Sequence, residues 1–304
     1  MANKTKDILK LKEYKNNKLS SSQIKKLNNN GYLLLKPTKR IWDWIGCKPK
    51  KLRNIIDIIL KNEGLKAGSE GKEENTILKK KKIEKEANRV GNLLNKSAYF
   101  TKIATLPEIV WAASKIIKSE IKLSSILFRE PKKKSGAQPL HIDWIPRMNK
   151  KQKFKVLVAF LYLEDSNKFN GATKLVPRSH KILSYPDKYL NPNIPYKKEI
   201  TVNAKAGSIL LLNALVWHRG GNNISGKKRG IIVTEYRNRK LKQLLNLKKY
   251  ISKSVQKNLT KKEKYLFGLR KKDKYQREKS FGPGNHYRNW LKNNRSSKYI
   301  YRWE

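Results

Sequence analysis

The chain is poor in several things, and each scarcity narrows what it can be. One cysteine, Cys47, stands among 304 residues, so no internal disulfide can form and a disulfide-stapled secreted scaffold is excluded. The longest apolar runs, Val156 to Leu163 and Ile209 to Val216, fall well short of the roughly 20 apolar residues a membrane helix needs. Met1 to Lys10 is charged from Lys4 onward and lacks the apolar stretch of a secretory signal, so a cytoplasmic protein is expected. No fixed-period repeat is visible, which sets aside solenoids and propellers. Hydrophobic residues make up only 38%, yet the two apolar runs argue against wholesale disorder and for a folded centre with polar ends.

Acidic residues are also scarce: 23 Asp and Glu face 72 Lys and Arg, a formal net charge of +49. A surface that basic attracts polyanions, although a Lys, Asn and Ile bias of this kind also follows from an AT-rich genome. From Arg237 to the end there are 22 Lys and Arg against 4 Asp and Glu, interleaved with Tyr275, Phe281, Tyr287, Trp290, Tyr299, Tyr301 and Trp303. Stacking aromatics among phosphate-binding cations make polyanion or nucleic-acid binding the alternative function.

Local patterns divide the chain into a polar segment at 1–19, a central unit at 20–240 and a basic, partly helical extension at 241–304. Ser20 and Gln23 are spaced as a capping box, and Gly31 reads as the stop of that helix. Tyr32 to Leu35 follows as a short buried strand. Leu52, Ile55, Ile56 and Ile59 repeat at helical spacing, and Gly64 to Glu74 has the composition of a loop. Thr105 and Glu108 form a second capping-box pattern ahead of Ile109, Ala112, Ala113, Ile116 and Ile117. From about residue 121 the period changes, with Ile121, Leu123, Ser125 and Leu127 at alternate positions. Further strands are expected at Lys155 to Leu163, Glu199 to Val202, Ser208 to Trp217 and Gly230 to Tyr236. Strands divided by turns, without alternating helices, point to an antiparallel jelly roll with flanking helices. Leu241, Leu244, Leu245 and Ile251 suggest a helix beyond it, and Thr260 with Glu263 caps another.

Histidine is scarce as well, with His141, His180, His218 and His286 the complete set. In His141-Ile142-Asp143 the polar residues stand at i and i+2, so on a strand they share one face. A lone His-x-Asp is common by chance. Here it is joined by His218 at the end of the run Ser208 to Trp217, and by Arg229 at the head of the next apolar strand. Two imidazoles and a carboxylate on one face of an octahedron leave three positions open, the arrangement of non-haem Fe(II) oxygenases; structural zinc closes its shell instead. The Arg229 guanidinium is planar and permanently charged, which suits the far carboxylate of a dicarboxylate.

At these residues the sequence resembles the phytanoyl-CoA dioxygenase family of Fe(II)/2-oxoglutarate oxygenases. The likeness runs from Asn30-Gly31-Tyr32 through Arg89-Val90-Gly91-Asn92-Leu93, Leu140-His141-Ile142-Asp143-Trp144 and Asn170-Gly171-Ala172-Thr173 to Pro177-Arg178-Ser179-His180. It closes with Ala206-Gly207-Ser208, Trp217-His218 and Arg229. The resemblance implies a double-stranded β-helix, a cupin-like jelly roll, with iron at its open mouth on His141, Asp143 and His218. It further implies 2-oxoglutarate held at its far end by Arg229, O2 as oxidant, ascorbate as auxiliary reductant, and hydroxylation of a small-molecule substrate. Gln138 and Thr173 lie where family members contact the co-substrate. His180 sits in a segment that is not a ligand in the family, and Gly220 replaces the small hydroxyl residue often found two positions after the distal histidine.

Overall fold

In the computed structural model, which describes residues 4–68, 86–271 and 273, the strands form two antiparallel sheets. The larger has six strands: β1 (Tyr32–Leu35), β2 (Ala87–Val90), β3 (Ile121–Pro131), β4 (Val156–Tyr162), β7 (Ile209–Asn213) and β9 (Ile231–Asn238), in the order β1-β7-β4-β9-β3-β2. The smaller is β6-β5-β8, from β5 (Thr173–Leu175), β6 (Ile200–Thr201) and β8 (His218–Gly220). This is the expected jelly roll. Among the described residues no helix is long and apolar enough to cross a membrane.

The unbroken apolar runs have a simple cause, which is burial on both faces of the large sheet. Leu157, Ala159 and Leu161 of β4, with Ile209 and Leu211 of β7, pack on the helical side. Val158, Phe160, Leu210 and Leu212 face the other way, into the space between the sheets. The helical layer comprises α1 (Thr5–Lys10), α2 (Lys12–Lys15), α3 (Ser21–Asn30), α4 (Lys39–Ile45), α5 (Pro49–Glu63), α6 (Ala98–Ala104) and α7 (Pro107–Ile117). Ile8 and Tyr14 from the polar beginning of the chain lie in the same cluster. So do Leu247 of α8 (Leu247–Tyr250), Leu259 just past α9 (Lys253–Asn258), and Tyr265 and Leu266 of α10 (Lys261–Leu266).

Several local expectations hold in atomic detail. Ser20 and Gln23 exchange capping-box hydrogen bonds at α3, and Thr260 and Glu263 do so at α10. Others give way to tertiary context. The Thr105 and Glu108 pair forms no capping box: α7 begins at Pro107 after the N-cap Leu106, since proline presets the first helical turn. Thr105 instead closes α6, its hydroxyl donating to the Thr101 carbonyl, and Glu108 pairs with Arg40. The alternation on β3 breaks at a bulge between Leu123 and Ser125. One extra residue reverses the facing, so Ile121 and Leu123 join the helical side while Ser125 and Leu127 line the opposite cavity. Ser124, the extra residue, receives the Leu244 amide on its hydroxyl and the Leu245 amide on its carbonyl. Leu244 and Leu245 are thereby held in a loop, and the helix expected there shrinks to α8. The run Ser208 to Trp217 is also two elements: β7 stops at Asn213, a turn follows, and His218 opens β8 in the other sheet. The aromatic and basic pattern at Tyr275 to Trp303 lies outside the described residues.

Gly31 ties the helical layer to this turn. It caps α3 in the left-handed conformation, φ +81°, and a Cβ there would stand 2.5 Å from both His180 Nδ1 and Val216 Cγ2. Replacement Gly31→Ala therefore combines backbone strain with overpacking and is expected to lower stability by about 1 to 3 kcal/mol, read as a fall in the urea midpoint at unchanged slope.

Candidate metal centre

His141, Asp143 and His218 converge from two chain segments. His141 forms an isolated bridge with His218, each backbone N–H donating to the other's carbonyl at 2.9 Å. The Asp143 amide donates to the Ala214 carbonyl at 2.8 Å. The His-x-Asp segment is thus an extended piece rather than a full strand, held against the start of β8 and the turn before it. One ligating atom from each of the three side chains lies within 4.8 Å of the other two. His218 Nε2 is 3.3 Å and His141 Nε2 is 3.7 Å from the Asp143 carboxylate.

The ring orientations follow from the nitrogens on the far side. His141 Nδ1 lies 2.8 Å from the Pro139 carbonyl and His218 Nδ1 lies 2.9 Å from the Val216 carbonyl. A carbonyl only accepts, so both Nδ1 atoms carry the proton and both Nε2 lone pairs face Asp143, the arrangement that orients metal-binding histidines. Burial and the neighbouring His218 push His141 down to about 3, so its imidazole stays neutral and able to ligate. For His218 burial opposes charging, but the adjacent Asp143 carboxylate outweighs it and lifts its pKa above the ordinary value. Two buried imidazoles facing one half-buried carboxylate form a donor set that fits a divalent cation of the non-haem iron type.

The cluster opens into a cavity of about 250 Å³ that is also lined by Gln138, Thr173 and Arg229. Arg229, just before β9, is 1% exposed; burial pulls it down to about 10, which leaves it charged at neutral pH. It donates to the Gly171 carbonyl, and its Nε is buried with no partner among the described residues. A buried cation with an unsatisfied donor is costly, and a carboxylate entering the cavity would satisfy it. Thr173 receives a long hydrogen bond from the Tyr162 hydroxyl at 3.5 Å and is the cross-strand partner of Gly220. Gln138 accepts from the Gly220 amide at 3.0 Å. His180 stands elsewhere, buried against Phe154 with Nε2 on the Asn28 carbonyl. His286 lies outside the described residues. Trp144 is core, stacked under the Arg237 guanidinium at 4.5 Å.

Sequence reasoning missed much of the lining. Ile231, Val233, Glu235 and Arg237 all face the cavity, in the same period of two that begins at Arg229, and that signal was readable. Arg129 of β3 and Arg89 of β2 also line it, but their facing depends on the bulge at Ser124, which no periodicity revealed.

The family model for phytanoyl-CoA dioxygenase (PhyH) matches residues 19–231. This chain belongs to the phytanoyl-CoA dioxygenase family. By class it is a non-haem iron, 2-oxoglutarate-dependent dioxygenase, and its His-Asp-His donor set fits that metal. Among solved structures the fold is similar to HygX from Streptomyces hygroscopicus with nickel and 2-oxoglutarate bound: 13% identity over 72% of this chain and 87% of that one, TM-score 0.55. The same protein with iron bound gives 14% identity, 72% and 87% coverage, and a TM-score of 0.52. The non-haem α-ketoglutarate-dependent carbocyclase SnoK from nogalamycin biosynthesis gives 17% identity, 72% and 84% coverage, and a TM-score of 0.53. No curated protein matches the chain by sequence.

Gly220, where many family members carry a hydroxyl residue, is small for a steric reason. A Cβ there would stand 2.9 Å from the Gly136 carbonyl oxygen and 3.0 Å from Gln138 Oε1. Gly220→Ser is therefore expected to destabilise the fold by about 1 to 3 kcal/mol rather than restore the common family pattern, measured as a lower thermal midpoint.

Proposed function

We propose that this member of the phytanoyl-CoA dioxygenase family holds one Fe(II) on His141, Asp143 and His218 and hydroxylates a small-molecule substrate. When bound, iron and 2-oxoglutarate supply the oxidising chemistry: O2 is consumed, the co-substrate leaves as succinate and CO2, and one oxygen atom enters the substrate. The chain's own part is binding, orientation and exclusion of water. His141 and His218 present Nε2 because the Pro139 and Val216 carbonyls hold Nδ1–H. Asp143 supplies the third donor, and a carboxylate at that position favours hydroxyl transfer over halide admission. Arg229 would hold the far carboxylate of 2-oxoglutarate, with Thr173 and Gln138 beside it. The apolar walls Val158, Phe160, Ile231 and Val233 keep the reacting centre dry.

The observation that carries this reading is the convergence of three ligating atoms within 4.8 Å on a cavity that also holds the buried Arg229. Ascorbate fits as an auxiliary reductant in the assay. Polyanion binding, the second reading, rests on the +49 net charge and on the aromatic residues interleaved with Lys and Arg between Tyr275 and Trp303, and is compatible with catalysis.

Replacement of His218 by Ala is expected to abolish formation of succinate from 2-oxoglutarate in protein supplied with Fe(II) and ascorbate; undiminished turnover would remove His218 from the ligand set. Arg229→Lys keeps the charge but loses the fork, and should raise the KM for 2-oxoglutarate about tenfold or more with a smaller change in kcat. A fall in kcat at unchanged KM would place Arg229 outside co-substrate binding.

A further inference from the structure

Three turns at the end of the small sheet where Thr173 pairs with Gly220 are stitched into one platform. Asn170 and Asn223, both buried, form an isolated antiparallel bridge. The Asn170 side chain donates to the Asp165 carbonyl at 2.7 Å and receives the Asn167 N–H at 2.8 Å. Asn223 donates to the Pro131 and Lys227 carbonyls at 3.1 and 3.0 Å and receives the Gly226 N–H at 2.9 Å. Backbone bonds from the Lys134 N–H to the Asn223 carbonyl, 2.7 Å, and from the Ser225 N–H to the Phe169 carbonyl, 2.9 Å, complete the joining of the turns at 131–136, 165–171 and 222–228.

This polar framework leaves two large apolar side chains outside. Phe169 precedes Asn170 and Ile224 follows Asn223, and they are 55% and 61% exposed. Neither belongs to a core cluster, so the core does not depend on them. One exposed apolar residue is ordinary, whereas two on neighbouring, fixed turns mark a contact surface. Exposed lysines surround them: Lys132, Lys133 and Lys134 on the first turn, Lys168 on the second, Lys227 and Lys228 on the third. Lys168 Nζ lies 4.9 Å from the Phe169 ring centroid. Lys133 lies against Gly226, where a Cβ would stand 2.9 Å from its Cδ. Carboxylates do not balance this charge. Asp165 pairs with Lys205 and Asp57 with Lys228, and among the described residues no carboxylate pairs with the other lysines of the platform.

We propose that this platform docks on an anionic lipid surface, with Phe169 and Ile224 entering the boundary between head groups and acyl chains while the lysines meet the lipid phosphates. Both tips gain by leaving water for an acyl boundary. A nucleic acid would use Phe169 but not Ile224, since an aliphatic tip offers no ring on which a base can stack. Lysine suits the rim because its apolar stem lies along the inserted tips while its ammonium stays among the head groups. Each one adds attraction to an anionic leaflet that fades beyond a Debye length. The Gly171 carbonyl of the same platform receives Arg229, so docking brings the candidate centre's end of the jelly roll to the lipid.

The test is flotation of the full chain with vesicles of phosphatidylcholine alone and of phosphatidylcholine and phosphatidylglycerol in equal parts. The unmodified protein is expected to bind the anionic vesicles, less so as salt rises, and to leave the neutral ones. A diffuse attraction from the +49 net charge would give the same first result, so the variants decide. Phe169→Ser and Ile224→Ser keep every charge and should each weaken binding about tenfold, while Phe169→Trp should retain it. Lys133→Ser and Lys168→Ser should each weaken it about fivefold. Lys25→Ser and Lys26→Ser, at exposed positions of α3 in the helical layer, should change it less than about twofold. All the replaced side chains are exposed, so thermal midpoints should stay unchanged. No binding to anionic vesicles, equal binding to neutral ones, full binding by the two apolar variants, or an equal loss in Lys25→Ser would overturn the proposal. A single-stranded oligonucleotide is the contrasting probe: if Phe169→Ser and Ile224→Ser weaken its binding and not that of the vesicles, the platform is a nucleic-acid surface and the lipid proposal falls.

Discussion

Two backbone hydrogen bonds, His141 N–H to the His218 carbonyl and the reverse, each 2.9 Å long, are the constraint on which the centre depends. They join a segment that belongs to neither sheet to the first residue of β8, and so bring together candidate ligands remote in sequence. The Asp143 amide on the Ala214 carbonyl adds a third fastening, and it lands on the turn between β7 and β8. Because both rings are braced through Nδ1 by carbonyls of their own neighbourhoods, imidazole orientation is set before any ligand arrives. Preorganisation of this kind is what a metal site requires if binding is not to carry the entropic cost of ordering its own ligands.

That turn in turn rests on the helical layer. Val216 lies against Gly31, where α3 hands over to β1, and Gly31 also abuts His180. His180, the third histidine of the central unit, is therefore a packing element, buried beside Phe154 and hydrogen-bonded to Asn28. Its role bears on the centre only through the wall it helps to build. On the opposite side of the cavity, the bulge at Ser124 turns Ser125, Leu127 and Arg129 toward that cavity and anchors Leu244 and Leu245 from the C-terminal part. Residues beyond the family match at 19–231 thus contribute to the core behind the sheet, through Leu247, Leu259 and Leu266.

Much of this was legible in the sequence where a local rule and the tertiary fold agree. The Ser20 and Gln23 capping box needs only neighbours along the chain, and the i, i+2 spacing of His141 and Asp143 needs only extended backbone. Arg229 was conspicuous because a cation at the head of an apolar run must have a reason. Legibility failed where the deciding partner was distant. Pro107 displaced the capping box that Thr105 and Glu108 spell out, since Thr105 bonds back to Thr101 and Glu108 meets Arg40 from α4. The β3 bulge is satisfied by residues some 120 positions away, so the alternation of Ile121, Leu123, Ser125 and Leu127 looked continuous. The split of Ser208 to Trp217 was hidden for a related reason: a strand and the turn after it are equally apolar when both are buried.

The central claim is that one metal ion is held by His141, Asp143 and His218. The most direct measurement is an anaerobic titration of the full chain with Fe(II) in the presence of 2-oxoglutarate, followed by the visible charge-transfer absorption of the iron–co-substrate chelate. The account predicts that the band saturates at one iron per chain and is lost in His141→Ala. Saturation at another stoichiometry, or a band of full intensity in His141→Ala, would contradict it.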